Sequence, residues 1–87
     1  MMLLKKTCTR EIERMSGVIK KVKLKDKKGA ELLSLAGAYY NDSLYFFSKK
    51  QFIESFEAAV ISWAYIDSGL HLGVFEVPDE LKELFTV

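Results

Sequence analysis

Apolar residues recur at three- and four-residue steps along three stretches of the chain, the period of one face of a helix. Cys8, Ile12, Met15, Ile19 and Val22 form the first line. Leu33, Ala36, Tyr40, Leu44 and Phe47 form the second. Phe52, Phe56, Ala59, Val60, Trp63, Ile66 and Leu70 form the third. The pattern predicts helices over about 7–24, 29–47 and 50–72. Thr7 or Thr9 is the expected cap of the first helix and Asp26 that of the second. Ser48-Lys49-Lys50-Gln51 fits an S-x-x-Q capping box opening the third. Gly17, on the outer face of the first helix, costs about 1 kcal/mol relative to Ala and reads as a bend. Pro78, followed by Asp79 and Glu80, starts a last short helix through Phe85. Leu81, Leu84 and Phe85 are expected to close one end of the core.

A turn as short as Ser48–Lys50 makes the second and third helices antiparallel neighbours. The expected fold is therefore all-α: an antiparallel three-helix bundle with a short C-terminal helix, one domain over residues 1–87. A chain of 87 residues buries only roughly 60% of its extended surface, so good helix packing or association has to supply stability.

The third helix is apolar nearly all round. Between Phe52 and Gly73 its only acidic or basic residues besides His71 are Glu54, Glu57 and Asp67. Ala58, Ile61 and Tyr65 fall opposite the Phe56/Val60/Trp63 line and mark a candidate partner surface, because a small bundle leaves one side of each helix in water.

Charge is divided between the two parts of the chain. Residues 1–28 hold ten Lys/Arg and three acids, and residues 29–87 hold three Lys/Arg and nine acids. Those counts make +7 and −6, which sum to the net +1 of the whole. Lys6, Arg10, Arg14 and Lys21 line the face of the first helix opposite its apolar seam. Such a face either contacts nucleic acid or offsets the acidic remainder of the same chain. A single Cys forms no internal disulfide and fits a reducing cytoplasm. No apolar run reaches the ~20 residues of a membrane span, and Met1-Met2-Leu3-Leu4 is too short for a signal-peptide core.

The run YYNDSLYFFSKKQFIESFEAAVISWAYIDSGLHLG, Tyr39 to Gly73, resembles the shared core of the small archaeal proteins called domain of unknown function 357. Tyr39, Asp42, Phe46, Phe47, Lys49, Ala58, Ala59, Trp63, Tyr65, Asp67 and Gly69 carry the resemblance. It implies a three-helix bundle and an archaeal source, and it supplies no activity. Lys50-Gln51 departs from the Gly-Asp-like turn more usual there. Helical hairpins also occur in HEPN domains and tetratricopeptide arrays. This chain lacks the Arg-then-His pair of the former and the stacked repeats of the latter.

Catalytic and metal patterns are sparse. One Cys and one His give no zinc spacing, and no Gly-rich loop follows a strand, so no cofactor or metal is expected. Asp67 and His71 stand four residues apart on one helix face, with Ser62 in the same helix. The plainer reading is that His71 complements the helix C-terminus and Asp67 makes a structural contact to a Tyr hydroxyl, the Trp63 N–H or a Lys.

Three functional readings follow. The leading one is a non-catalytic protein-interaction or self-association module, a homodimer or small adaptor, using Ala58, Ile61 and Tyr65. The alternative is a weak, sequence-independent nucleic-acid binder through the basic first helix. The third is a small enzyme or ligand site near Asp67.

Overall fold

Three long helices carry the structure, and the turn between the second and third is set by local backbone bonding. The computed structural model describes residues 2–85. In chain order these are α1 Met2–Lys21, β1 Lys23–Leu24, a 3-10 turn Lys27–Gly29, α2 Ala30–Ser48, α3 Phe52–His71, β2 Phe75–Glu76 and α4 Asp79–Lys82. The helices pack together as the all-α bundle that the periodicity predicts.

Helix α1 begins ahead of both threonines expected to cap it. Their hydroxyls donate backwards instead, Thr7 Oγ1 to the Leu3 carbonyl and Thr9 Oγ1 to the Lys5 carbonyl, each at 2.9 Å. That is the bond a Thr makes inside a helix, where the next N–H groups are already taken. Asp26 does act as a cap, accepting from the Lys28 N–H at 2.9 Å, but for the 3-10 turn that leads into α2.

The expected capping box at Ser48 is not formed. Helix α2 runs on through Ser48, whose hydroxyl donates to the Tyr45 carbonyl at 2.6 Å. Gln51 is the N-cap of α3 and makes no side-chain cap bond. The turn is built from the C-terminal side instead. Lys50 takes a φ of 60°, its N–H donates to the Phe47 carbonyl at 3.0 Å, and the Gln51 N–H reaches the Phe46 carbonyl at 2.9 Å. This pair of bonds satisfies the carbonyls that a helix end leaves open, and it needs a left-handed residue at its centre. Helix α3 ends the same way: Gly73 has a φ of 74°, with bonds from Gly73 to Leu70 at 3.1 Å and from Val74 to Gly69 at 3.0 Å.

A short antiparallel ribbon, absent from the sequence reading, ties the ends of α1 and α3 together. Lys23 pairs with Glu76 and Leu24 with Phe75. The Lys25 and Asp26 N–H groups both donate to the Val74 carbonyl, at 2.8 and 3.2 Å. The ribbon turns Phe75 inward to join Met15, Val18, Ala36, Ile66 and Phe85 in the core.

Between α2 and α3 the seam is made of small side chains. Ala36 and Ser43 of α2 face Ser55, Ala58, Ala59 and Ser62 of α3, all buried. The serines span the seam: Ser55 Oγ donates to the Ser43 carbonyl and Ser62 Oγ to the Ala36 carbonyl, both at 2.7 Å. Cys8 of α1 donates its thiol to Ser55 Oγ at 3.1 Å, which brings α1 into the same network. Small residues let the two backbones come close, and a buried hydroxyl that donates to a carbonyl avoids the cost of desolvation without a partner.

The buried line of α3 is therefore Ser55, Ala59, Ser62, Ile66 and Gly69, rotated from the line of large apolar residues read in the sequence. Val60 and Leu44, both assigned there to the core face, are exposed. The short last helix spans only Asp79–Lys82 and then loosens into turns. Phe85 is buried beyond it and Leu84 is exposed.

Candidate functional site

Close approach of α2 and α3 at the small-residue seam displaces large side chains to the outside. On one flank this makes a groove. Tyr39, Asp42 and Phe46 line it from α2, and Glu54, Glu57, Ala58 and Ile61 from α3. Its volume is about 300 Å³. Steps of four and three residues place Glu54, Ala58, Ile61 and Tyr65 on one stripe of α3, and steps of three and four do the same for Tyr39, Asp42 and Phe46 on α2. The Tyr39 and Tyr65 rings stack at 5.8 Å across the helix pair. A second shallow depression, formed by Phe56, Glu57, Val60 and Ile61, adjoins it along α3.

Ala58, Ile61 and Tyr65 thus meet one surface, but in different ways. Ala58 is only 5% exposed, so it lies beneath the surface rather than on it. Ile61 is 40% exposed and is the open apolar centre of the surface. Tyr65 is half-buried beneath its stacking partner. Sequence reasoning placed the surface on α3 alone and missed the share of Tyr39 and Phe46. The signal that finds them is the small-residue seam, which fixes which stripe of α2 lies beside Ile61.

The rim is acidic. Asp42, Glu54 and Glu57 are exposed, and among the described residues none of them makes an ion pair. Glu54 lies in the first turn of α3, where the helix dipole favours a carboxylate. Asp42 and Glu57 have no such local reason.

The basic face of α1 is partly spent inside the protein. The Arg14 guanidinium lies 4.1 Å from the centroid of the Trp63 ring and 3.6 Å from Glu11. Trp63 also stacks on Phe85 at 4.2 Å. Lys21 pairs with Glu80 at 2.7 Å. Lys6 and Arg10 remain exposed. Two of the four cations therefore hold elements together, which is the internal role weighed against nucleic-acid contact. A further pair, Asp79–Lys82 at 2.9 Å, closes α4 on itself. Hydrogen bonding and charge from Lys82 hold the Asp79 carboxyl below its ordinary range and raise the Lys82 ammonium in turn.

Asp67 and His71 come within reach of one another, with His71 Nε2 3.6 Å from Asp67 Oδ1. That oxygen is buried and accepts no hydrogen bond, from a Tyr hydroxyl, the Trp63 N–H, a Lys or any other donor among the described residues. Ser62 does not join them. It is wholly buried, and its proton is committed to the Ala36 carbonyl. A nucleophile needs a free, reachable oxygen beside its base, so no Ser/His/Asp site is assembled. Among the described residues no three His, Cys, Asp or Glu side chains cluster in a way that would hold a metal ion. No helix among them is long and apolar enough to cross a membrane.

Comparison with known proteins agrees with this architecture. The family model described as protein of unknown function (DUF357) matches residues 5–75. The crystal structure of protein AF1782 from Archaeoglobus fulgidus, assigned to the same family model, superposes with a TM-score of 0.75 at 27% identity. The match covers 86% of this chain and 93% of that one. No curated protein matches.

Proposed function

The chain belongs to DUF357, a family of proteins of unknown function, and from that premise we propose that it is a non-catalytic protein-interaction module whose contact surface is the groove between α2 and α3. The observation that carries the proposal is Ile61. It stands 40% exposed between Tyr39, Phe46 and Tyr65, in a helix whose buried stripe is supplied by small residues. Solvated apolar side chains scattered singly need no explanation, whereas a continuous apolar strip with a polar rim is the form of a partner surface. The groove's lining holds three carboxylates and no His, Cys, Ser or Lys beside them, and among the described residues no cluster of metal-ligating side chains forms.

The test compares wild type with Ile61→Lys. Because Ile61 is outside the core, the variant is expected to keep its helical circular dichroism and its melting temperature within a few degrees. Affinity capture with the two proteins as baits in the native cell is expected to recover a protein with wild type alone. Sedimentation velocity over a wide concentration range reads self-association in the same pair. Identical captured sets and identical sedimentation for the two proteins would remove the groove as a contact surface. Ligand screening by thermal shift, with Asp67→Asn as control, examines the small-enzyme reading. A metabolite that raises the melting temperature of wild type but not of Asp67→Asn would move the site there.

A further inference from the structure

We infer that the occupant of the α2/α3 groove is a basic amphipathic helix of another protein. This rests on the reading of the groove as a contact surface and adds the chemistry of the partner. Three features of the molecule carry it.

The first is shape. The groove runs between two antiparallel helices, and its α3 stripe from Glu54 to Tyr65 extends about 16 Å, or roughly three helical turns. Tyr39, Phe46 and Ile61 supply its apolar surface between the carboxylates, the form that takes the apolar face of a docked helix.

The second is charge. Asp42, Glu54 and Glu57 stand on the rim, exposed and without ion pairs among the described residues. Lys or Arg on the flanks of an incoming helix would meet them. Phosphate backbones and acidic helices would be repelled. The same rim disfavours a symmetric second copy, because a two-fold contact sets each patch against itself and would bring six carboxylates together. A head-to-tail copy could offer the outer face of α1, where Lys6, Arg10 and Glu13 share the stripe with Leu3 as its single exposed large apolar side chain among the described residues, too little to fill the groove.

The third is precedent within the fold. The hairpin of α2 and α3 already holds one basic amphipathic helix, α1, on its other flank. There the Cys8/Met15/Val18 seam is buried and Arg14 lies over Trp63. A guest helix in the groove repeats that arrangement on the open side.

The experiment is a display selection with a library of helical peptides about 18 residues long. These carry a randomised apolar stripe and flanks drawn equally from Lys, Arg, Asp and Glu. Wild type is the bait and Ile61→Lys the counter-bait. Enriched peptides are expected to carry net positive flanks. A synthetic copy of one is expected to lose about tenfold in affinity for the Glu54→Gln/Glu57→Gln variant at low salt. Its binding should shift the amide resonances of Phe46, Ala58, Ile61 and Tyr65, with circular dichroism confirming that both variants fold. Enriched peptides without a positive bias, or with affinity indifferent to the two carboxylates, would overturn the basic partner and leave the groove as a contact surface. So would a wild-type dimer that Ile61→Lys dissociates, because the occupant is then a second copy. A selection that enriches nothing over the counter-bait would overturn both readings.

Discussion

The Phe75 ring occupies the space that a Cβ on Gly69 would need. A second glycine flanks the same ring: a Cβ on Gly29 would stand 2.6 Å from Val74 Cγ2 and 3.2 Å from Phe75 Cε1. The inward turn of the ribbon, the end of α3 and the start of α2 thus converge on one aromatic ring, which is 3% exposed. Glycine is used here for close approach, because the ring leaves no volume for a methyl group. Gly17 is the contrast. It lies on the exposed face of α1, and a Cβ there meets nothing within 4 Å.

One substitution therefore has opposite signs at two positions. Gly17→Ala is expected to raise stability by about 0.5–1 kcal/mol, the backbone entropy that Gly loses in a helix interior. Gly69→Ala receives the same propensity gain and loses more, about 1–3 kcal/mol, because Phe75 has to leave its seat. Phe75→Ala is expected to cost about 3–5 kcal/mol through the cavity it leaves. Urea unfolding of the three variants reads these values. Equal effects at Gly17 and Gly69 would show that the ring does not depend on the glycine.

The left-handed turn residue Lys50 gives the second prediction. A non-glycine residue at a φ of 60° places its Cβ against the neighbouring carbonyl, at a cost of roughly 1–2 kcal/mol. Lys50→Gly removes that cost but adds flexibility to the unfolded chain. The expected net is a gain of about 0.5–1 kcal/mol, seen as a melting temperature higher by several degrees. Gly73→Ala, at the equivalent place in the second helix end, is expected to lose about as much. A Lys50→Gly variant that melts below wild type would mean that the Lys50 side chain contributes more than its backbone costs.

The serine seam gives the third. Ser62→Ala deletes the bond to the Ala36 carbonyl and is expected to cost about 1 kcal/mol. Ser62→Val adds bulk where the helices are closest and is expected to cost about 1–3 kcal/mol beyond that. Denaturant midpoints should rank wild type, Ser62→Ala, Ser62→Val in falling order. A Val variant as stable as wild type would mean that the seam has room to spare.

That seam also explains how far the sequence could be read. The number of long helices and their approximate bounds follow from apolar periodicity, since Met15, Ala36 and Ile66 do fall on the lines it draws. The face of α3 does not follow, because periodicity counts large apolar residues as inside. Here Ser55, Ser62 and Gly69 are inside and Val60 is outside. The spacing of Ser55, Ala59, Ser62, Ile66 and Gly69 by four, three, four and three is the signal that could have shown it. The caps misread for a related reason. Thr7, Thr9 and Ser48 suit a helix start by type, but each lies inside a helix and bonds backwards. The turn is set by Lys50, a residue type with no preference for that backbone. Two-residue strands carry too little alternation to be seen at all. Of the candidate site, Ile61 and Tyr65 were legible because they lie opposite the aromatic line. Their α2 neighbours were not, because helix rotation decides which α2 stripe adjoins them.

The last prediction separates two arginines on one helix. Arg10 and Arg14 are one turn apart and share the nominally outer face of α1, yet among the described residues only Arg14 of the two makes a ring or polar contact with another element, its guanidinium lying over Trp63. A cation over an indole at a partly exposed site contributes about 0.5–1 kcal/mol, and the aliphatic stem of Arg adds packing. Arg14→Ala is therefore expected to cost about 1 kcal/mol, or roughly 4–8 °C in melting temperature for a domain of this size. Arg14→Lys should recover part of it, since an ammonium keeps the charge but not the planar stack. Arg10→Ala and Lys6→Ala are expected to leave stability within about 0.5 kcal/mol, as exposed substitutions away from packed features do. The same proteins examine the nucleic-acid alternative. Cations that contact phosphates lose affinity steeply with salt. Fluorescence anisotropy with RNA and duplex DNA at low salt is expected to show no binding that the Lys6→Ala/Arg10→Ala double variant abolishes. Binding that falls steeply with salt and disappears in that variant, while its melting temperature stays at the wild-type value, would assign the free end of α1 to nucleic acid. The cations at Arg14 and Lys21 would keep their internal roles.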